Sequence, residues 1–283
     1  MATTQKKGLH RNTIDKYYTK HSIVDMCISL IKEHIKIKKD DLVIEPSAGN
    51  GSFIAGIKSL GSKFMFYDLE PENHEITKQD YLLCNYANST PGSIPDSIPD
   101  FNSIHVVGNP PFGRQSSLAI KFIKKSCEFC TSISFILPKS FKKDSLKKTF
   151  PLHFHLILEI DLPDKSFLVD GKEHDVPCIF QIWQKRIDTR DAIPKLEPYH
   201  FIFVKKTENP DISVRRVGVN AGTIDIDIHQ KNIQTHYFIK FTNGNSIHHN
   251  MTQLSEITYT FNNTVGPRSI SKQELISKFN PLL

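Results

Sequence analysis

The sequence contains no apolar run approaching the roughly 18–20 residues that a membrane span requires. Its opening, Met1-Ala2-Thr3-Thr4-Gln5-Lys6-Lys7, lacks the apolar core of a signal peptide. These two absences set the expectation of a soluble, non-secreted protein with no membrane partner, working inside the cell in the cytoplasm or nucleus. Cysteine is scarce: five residues, an odd number at irregular spacing, argue against a disulfide framework and suit a reducing compartment. No segment repeats. The composition is not that of a disordered chain either, since 39% of the 283 residues are hydrophobic and 23% charged, enough to build one large domain or a domain with an appendage. What is present in excess is positive charge. A net charge of +6 favours a polyanionic partner without specifying one.

The apolar pattern is that of an α/β protein. Ile23, Val24, Cys27, Leu30 and Ile31 recur at helical spacing and predict an amphipathic helix over 21–36. A short apolar strand over 41–46, a glycine turn, a helix over 52–60 closed by Gly61 and a second strand over 64–67 follow within thirty residues. This is the start of a Rossmann-like, doubly wound parallel sheet. Residues 85–102, rich in Ser, Pro, Asn and Asp, predict a loop. Further strands are expected at 104–107, 133–137, 154–160 and 178–183, with a helix over 116–128. Beyond 193 the pattern becomes β-rich, with strands at 201–204, 214–217 and 237–241 and a closing helix over 271–279. A boundary near 187–196 divides residues 1–190 from a smaller C-terminal region, 191–283.

Two segments carry chemistry. In Glu45-Pro46-Ser47-Ala48-Gly49-Asn50-Gly51, two glycines let the backbone turn tightly and let a ligand approach. The third glycine of a dinucleotide fingerprint is absent, Ile54 holding its place. Asp68 lies 19 residues past Gly49 at a strand end, where a carboxylate can accept ribose hydroxyls. Glu45 stands at the mouth of the turn, where a pyrophosphate would meet like charge. A nucleoside carrying cationic groups fits better, and S-adenosylmethionine is such a ligand; a plain strand–turn–helix with solvated carboxylates would read similarly. The second segment, Asn109-Pro110-Pro111-Phe112, follows a strand directly, at the sheet edge where open α/β folds bind ligands. Two prolines remove two donors and stiffen the chain, presenting the Asn109 amide and the Pro110 carbonyl as fixed acceptors. Acceptors so placed draw the protons of an exocyclic amine and strengthen as positive charge develops on its nitrogen. Phe112 would stack on the ring bearing that amine.

Taken together, the glycine turn, the acidic strand end and the Asn-Pro-Pro-Phe segment resemble the class I S-adenosylmethionine-dependent amino-methyltransferases, in particular N6-adenine methyltransferases. Asp15-Lys16-Tyr17-Tyr18-Thr19 is similar to that family's N-terminal cofactor motif, and the motif order is similar to the gamma arrangement of bacterial DNA adenine methyltransferases. The resemblance covers residues 13–186. It implies a seven-stranded methyltransferase sheet and S-adenosylmethionine as cofactor. It also implies a flipped-out adenine in nucleic acid as substrate, with DNA ahead of RNA. By the same resemblance Glu45, Pro46, Ser47, Ala48, Gly49 and Gly51 hold the methionine end of the cofactor, with Tyr18 and Thr19 closing over it. Asp68 binds its ribose, Leu69 packs on its adenine and Asp80 accepts the adenine amine. Asn109 adjoins both ligands, and Phe167 is the second aromatic against the flipped base. Phe112 stands where the family more commonly has Tyr, which keeps stacking and gives up a hydroxyl. Rival readings are an RNA amino-methyltransferase, a protein-glutamine methyltransferase and a non-catalytic nucleic-acid-binding module.

Four weaker features have ordinary structural readings beside the functional ones. Cys127-Glu128-Phe129-Cys130 has no second pair at zinc spacing and reads as packing, with no metal site expected. His248-His249 reads as an exposed pair in a loop. Five lysines between Lys139 and Lys148 read as a solvated helix face, with a phosphate-contacting surface as the alternative. Lys205, Lys206, Arg215 and Arg216 suggest that the C-terminal region grips a polyanion.

Overall fold

A computed structural model of the chain describes residues 17–86, 101–259 and 268–283. Asp15 and Lys16 of the N-terminal motif, and residues 87–100 of the expected loop, lie outside them. The chain divides into two compact units, Met1–Asp191 and Ala192–Leu283.

The elements of the first unit run, in chain order, β1 (Tyr18–Thr19), α1 (His21–His34), β2 (Leu42–Glu45), α2 (Ile54–Lys58), β3 (Lys63–Asp68), β4 (Thr77–Lys78) and β5 (Ile104–Gly108). They continue with α3 (Ser117–Cys127), β6 (Ser132–Pro138), α4 (Asp144–Lys147), β7 (Phe154–Asp161), β8 (Phe167–Val169), β9 (Lys172–His174) and β10 (Cys178–Lys185). Seven strands form one sheet in the order β4-β3-β2-β5-β6-β10-β7. All neighbours are parallel except β10, which runs antiparallel to both β6 and β7. This is the Rossmann-like seven-stranded sheet that the resemblance implies.

Its strands read as continuous apolar runs because both faces are covered. Val43, Val107, Ile136 and Phe180 point to one face, where α1 and α2 bring Ile23, Val24, Cys27, Ile31 and Ile57. Leu42, Ile44, Val106, Ile133 and Phe135 point to the other, where α3 brings Ala119, Phe122 and Ile123. The period-two alternation of the strands thus builds two cores from one sheet. At the entry ends of three adjacent strands, buried His105 links Ser132, 2.7 Å from its Nδ1, to Asp41, 3.4 Å from its Nε2. Burial holds His105 below its ordinary range, partly offset by Asp41.

A separate three-stranded sheet, β1-β8-β9, is absent from the sequence expectation. Tyr18 pairs with Leu168 and Thr19 with Phe167, while Asp170-Gly171 turns β8 into β9. Phe167 is fully buried in the first core, its ring edge-on to Tyr17 at 6.2 Å. Its expected place against a flipped base is therefore corrected: the alternation of β8 turns this side chain inward.

The second unit comprises β11 (Phe201–Val204), β12 (Ile212–Arg215), β13 (Ile224–Asp225), β14 (His236–Phe241), α5 (Ile247–Leu254) and α6 (Lys272–Phe279). Its antiparallel sheet has the order β11-β14-β12-β13, and Phe201, Ile212, Val214, Ile239, Leu275 and Phe279 form its own core. His248 and His249 are exposed on α5, not in a loop.

Candidate active site

The strand order reverses between β2 and β5, so the chain leaves these neighbours in opposite directions and opens a crevice beyond their carboxyl ends. The glycine turn follows β2 and the Asn-Pro-Pro-Phe segment follows β5. The two expected segments therefore stand side by side, and Ser47 Oγ donates to the Asn109 carbonyl at 3.2 Å. Between them lies a cleft of about 350 Å³, a volume in the range of small-molecule sites. Tyr18, Pro46, Ser47, Gly49, Asp68, Leu69, Asp80 and Asn109 through Phe112 line it. Thr19, Glu45, Ala48, Gly51 and Phe167 are not among the lining residues.

Gly49 has φ +54°, and its N–H donates to Asp68 Oδ2 at 2.8 Å, which ties the turn to the end of β3. Asp68 Oδ1 takes the Glu70 N–H at 2.8 Å. Each carboxylate oxygen keeps a lone pair for a further donor, so these bonds orient Asp68 without exhausting it. Asp80 uses Oδ1 to accept the Leu82 N–H at 2.9 Å. Tyr18 reaches over the turn and donates to Glu72 Oε1 at 2.6 Å, an arrangement that sequence reasoning missed because it joins positions 54 residues apart.

Asn109 has the most informative bonding. Its Nδ2 donates to the Tyr17 carbonyl at 3.2 Å and to Thr19 Oγ1 at 3.3 Å. These bonds fix the rotation of the amide. The opposite atom, Oδ1, is buried with no hydrogen-bond partner among the described residues. An unsatisfied buried acceptor costs stability unless a ligand uses it. Glu45 shows the same feature, since its Oε2 is buried and unpartnered. Burial first, and the nearby Asp68 charge second, push the Glu45 carboxyl well above the usual carboxylate range. Gly108, φ +147°, makes the packing feasible, because a Cβ there would lie 3.1 Å from Glu45 Cγ.

The charge of the wall is one-sided. Asp68, Glu70, Glu72 and Asp80 line the cleft, and among the described residues no lysine, arginine or histidine does. Such a wall rejects a pyrophosphate and suits a ligand with hydroxyl donors and positive charge. Leu69, Leu118, Phe112 and Phe122 supply apolar surface.

Outside the cleft, the lysine run is largely consumed in ion pairs on β7. Lys139 and Lys142 meet Asp161 at 3.3 and 2.7 Å, and Lys147 meets Glu159 at 2.9 Å. Cys130 is buried and Cys127 partly so, and burial pushes the Cys127 thiol up to about 12, which leaves both in packing roles. Among the described residues no cluster could hold a metal ion and no helix is long and apolar enough to cross a membrane.

No protein-family profile matches the chain. Over 164 residues, 54% of this chain, it is 26% identical to Protein ENHANCED DOWNY MILDEW 2 of Arabidopsis thaliana. The match spans only 11% of the plant protein's length. Similar solved structures include a candidate RNA methyltransferase from Pyrococcus horikoshii, with 16% identity, a TM-score of 0.47 and coverage of 64% of this chain and 93% of that one. A candidate class I S-adenosylmethionine-dependent methyltransferase from Listeria monocytogenes gives 15%, 0.44, 64% and 65%. The methyltransferase subunit of a type I restriction-modification system from Streptococcus thermophilus gives 14%, 0.41, 60% and 45%.

Proposed function

We propose that the chain is an S-adenosylmethionine-dependent methyltransferase that acts on an exocyclic amine of nucleic acid, the N6 amine of adenine in DNA ahead of RNA. The observation that carries this reading is Asn109 Oδ1, buried, without a hydrogen-bond partner among the described residues and held in place by Tyr17 and Thr19, beside a cleft whose charged lining among those residues is negative.

The residues present fit the cofactor. Asp68 keeps acceptor capacity for ribose hydroxyls, Asp80 for an adenine amine, and Leu69 offers an exposed apolar face for the ring. Glu45 and the carboxylates of the wall stabilise positive charge at the other end. When bound, the cofactor supplies an electrophilic methyl group on a sulfonium.

The chain's own residues act on the amine. An aromatic amine is a poor nucleophile while its lone pair is conjugated with the ring. Asn109 Oδ1 and the Pro110 carbonyl accept hydrogen bonds from its two N–H groups and favour the pyramidal nitrogen that can attack. Both bonds strengthen as the nitrogen becomes positive, so they stabilise the transition state more than the ground state. Phe112 stacks on the flipped base and fixes its plane. No general base is needed at the moment of transfer.

The deciding experiment is labelled-methyl transfer to duplex DNA, single-stranded DNA, structured RNA and a protein extract, followed by identification of the modified residue. Label on adenine N6 in DNA is the expected result. Label on RNA would move the substrate, and label on glutamine would replace the nucleic-acid reading.

A further inference from the structure

The second unit has a cleft of its own, of about 410 Å³, opposite in character to the first. Phe203 on the edge strand β11 and Tyr237 on its neighbour β14 meet edge-to-face at 5.5 Å. Around them stand Lys205, Lys206, Lys272 and His236, and among the described residues no carboxylate lines the wall. Burial, then Arg215 and Lys231, outweigh the Asn232 carbonyl and hold His236 below its ordinary range, which leaves the positive charge to the lysines.

The lysines are not equivalent. Lys206 Nζ is spent on the His229 and Lys231 carbonyls at 2.8 and 2.9 Å. Lys205 is 82% exposed and only loosely paired with Glu208 at 3.8 Å. Lys272 Nζ rests 4.4 Å from the Phe203 ring centroid, on a flexible stem. Glu274 Oε2 accepts the Ser271 N–H at 2.7 Å. A ligand with a planar heterocycle and an adjacent phosphate would exchange the Lys272 cation–π contact for a ring stack and an ion pair.

We infer that this cleft is a second nucleotide-binding site, taking a base on Phe203 and Tyr237 and its phosphate on Lys205 and Lys272. The site does not depend on the methyl-transfer reading of the first cleft. It also narrows the sequence expectation for this region. Lys206 and Arg215, whose Nε donates to the Val217 carbonyl at 3.1 Å, are structural. Arg216 packs over Tyr237 at 5.1 Å.

The test uses the full chain and a fluorescein-labelled ten-nucleotide single strand, read by fluorescence anisotropy across salt concentrations. Lys205→Glu combined with Lys272→Glu should weaken binding at least about tenfold and flatten the slope of log K against log salt by about 1.4, the value for two lost phosphate contacts on a single strand. Phe203→Leu keeps apolar volume and should weaken binding roughly tenfold with the slope unchanged. Lys205→Glu alone, at an exposed position, repeats the slope measurement where folding is not in question. Calorimetry with S-adenosylhomocysteine should give the same affinity in every variant. Displacement of the strand by AMP would assign the site to a free nucleotide, and failure of displacement to a polymer; either outcome supports the chemistry. Unchanged affinity and slope in all three variants would overturn it.

Discussion

Asn109 is a side chain with one end tied and the other free. Tying costs the amide its rotational freedom before any substrate arrives, so that entropy is not lost in the transition state. Asn109→Ala should therefore lower methyl transfer by about 10²–10³-fold while S-adenosylhomocysteine affinity, measured by calorimetry, stays within about a factor of two. The neighbouring Gly108→Ala is a different experiment. It forces a Cβ into a left-handed backbone and against Glu45, and should cost ~1–3 kcal/mol in denaturant unfolding. Glu45 itself is destabilising when charged. Its folded-state value is raised, so the protonated form is favoured on folding; that contribution is full below the ordinary value of 4.5 and fades as pH rises through the folded value. Glu45→Gln should accordingly raise unfolding stability at pH 8 by ~1 kcal/mol and weaken binding of the cationic ligand. The Asn109 motif is legible in sequence because its meaning is local: strand, two prolines, aromatic. Its anchors are not, since they come from positions 17 and 19.

At the scale of elements, helices and strands with strong periodicity match expectation to within a few residues, as α1 and β6 show. Three failures have specific causes. The pairing of β1 with β8 joins a two-residue strand to a segment nearly 150 positions away, and no local pattern announces such a contact. Helix α5, Ile-His-His-Asn-Met-Thr-Gln-Leu, has the composition of a loop and is held by the Ser246 cap and by the burial of Asn250 and Leu254. Strand β4 has two residues and both are exposed. The small β1-β8-β9 sheet matters because Thr19 of β1 and Tyr17 just before it carry the atoms that fix Asn109. Phe167→Ala should cost ~3–5 kcal/mol as a core deletion, and activity should fall even at temperatures where the variant remains folded. The Asp41–His105–Ser132 link is a second device at this scale. Burial lowers the His105 folded-state value, so the unfolded chain takes up a proton first as pH falls below 6.5. Wild-type stability should decline in that window, and His105→Gln should show a shallower decline, measured as denaturant midpoints between pH 5 and 7.5.

At the scale of the molecule, each unit encloses its own apolar core. Residues 192–283 expressed alone should unfold cooperatively, with retained β-type circular dichroism. The overall α/β character and the break near residue 190 are visible in composition and periodicity. The character of the second unit's surface is not, because it depends on which lysines are already engaged by carbonyls.

On the proposed function, the acidity of the first cleft has one more consequence. A chain with a net charge of +6 attracts a polyanion from a distance, but that field fades over the ~8 Å Debye length of physiological salt. Inside that range the carboxylates of the wall would act as a sieve. They would turn back any part of the polymer that carries phosphate and admit only what is neutral, the base itself, at the end of its sugar. Selection of a nucleobase over the backbone that delivers it would then be a matter of electrostatics before any base is read.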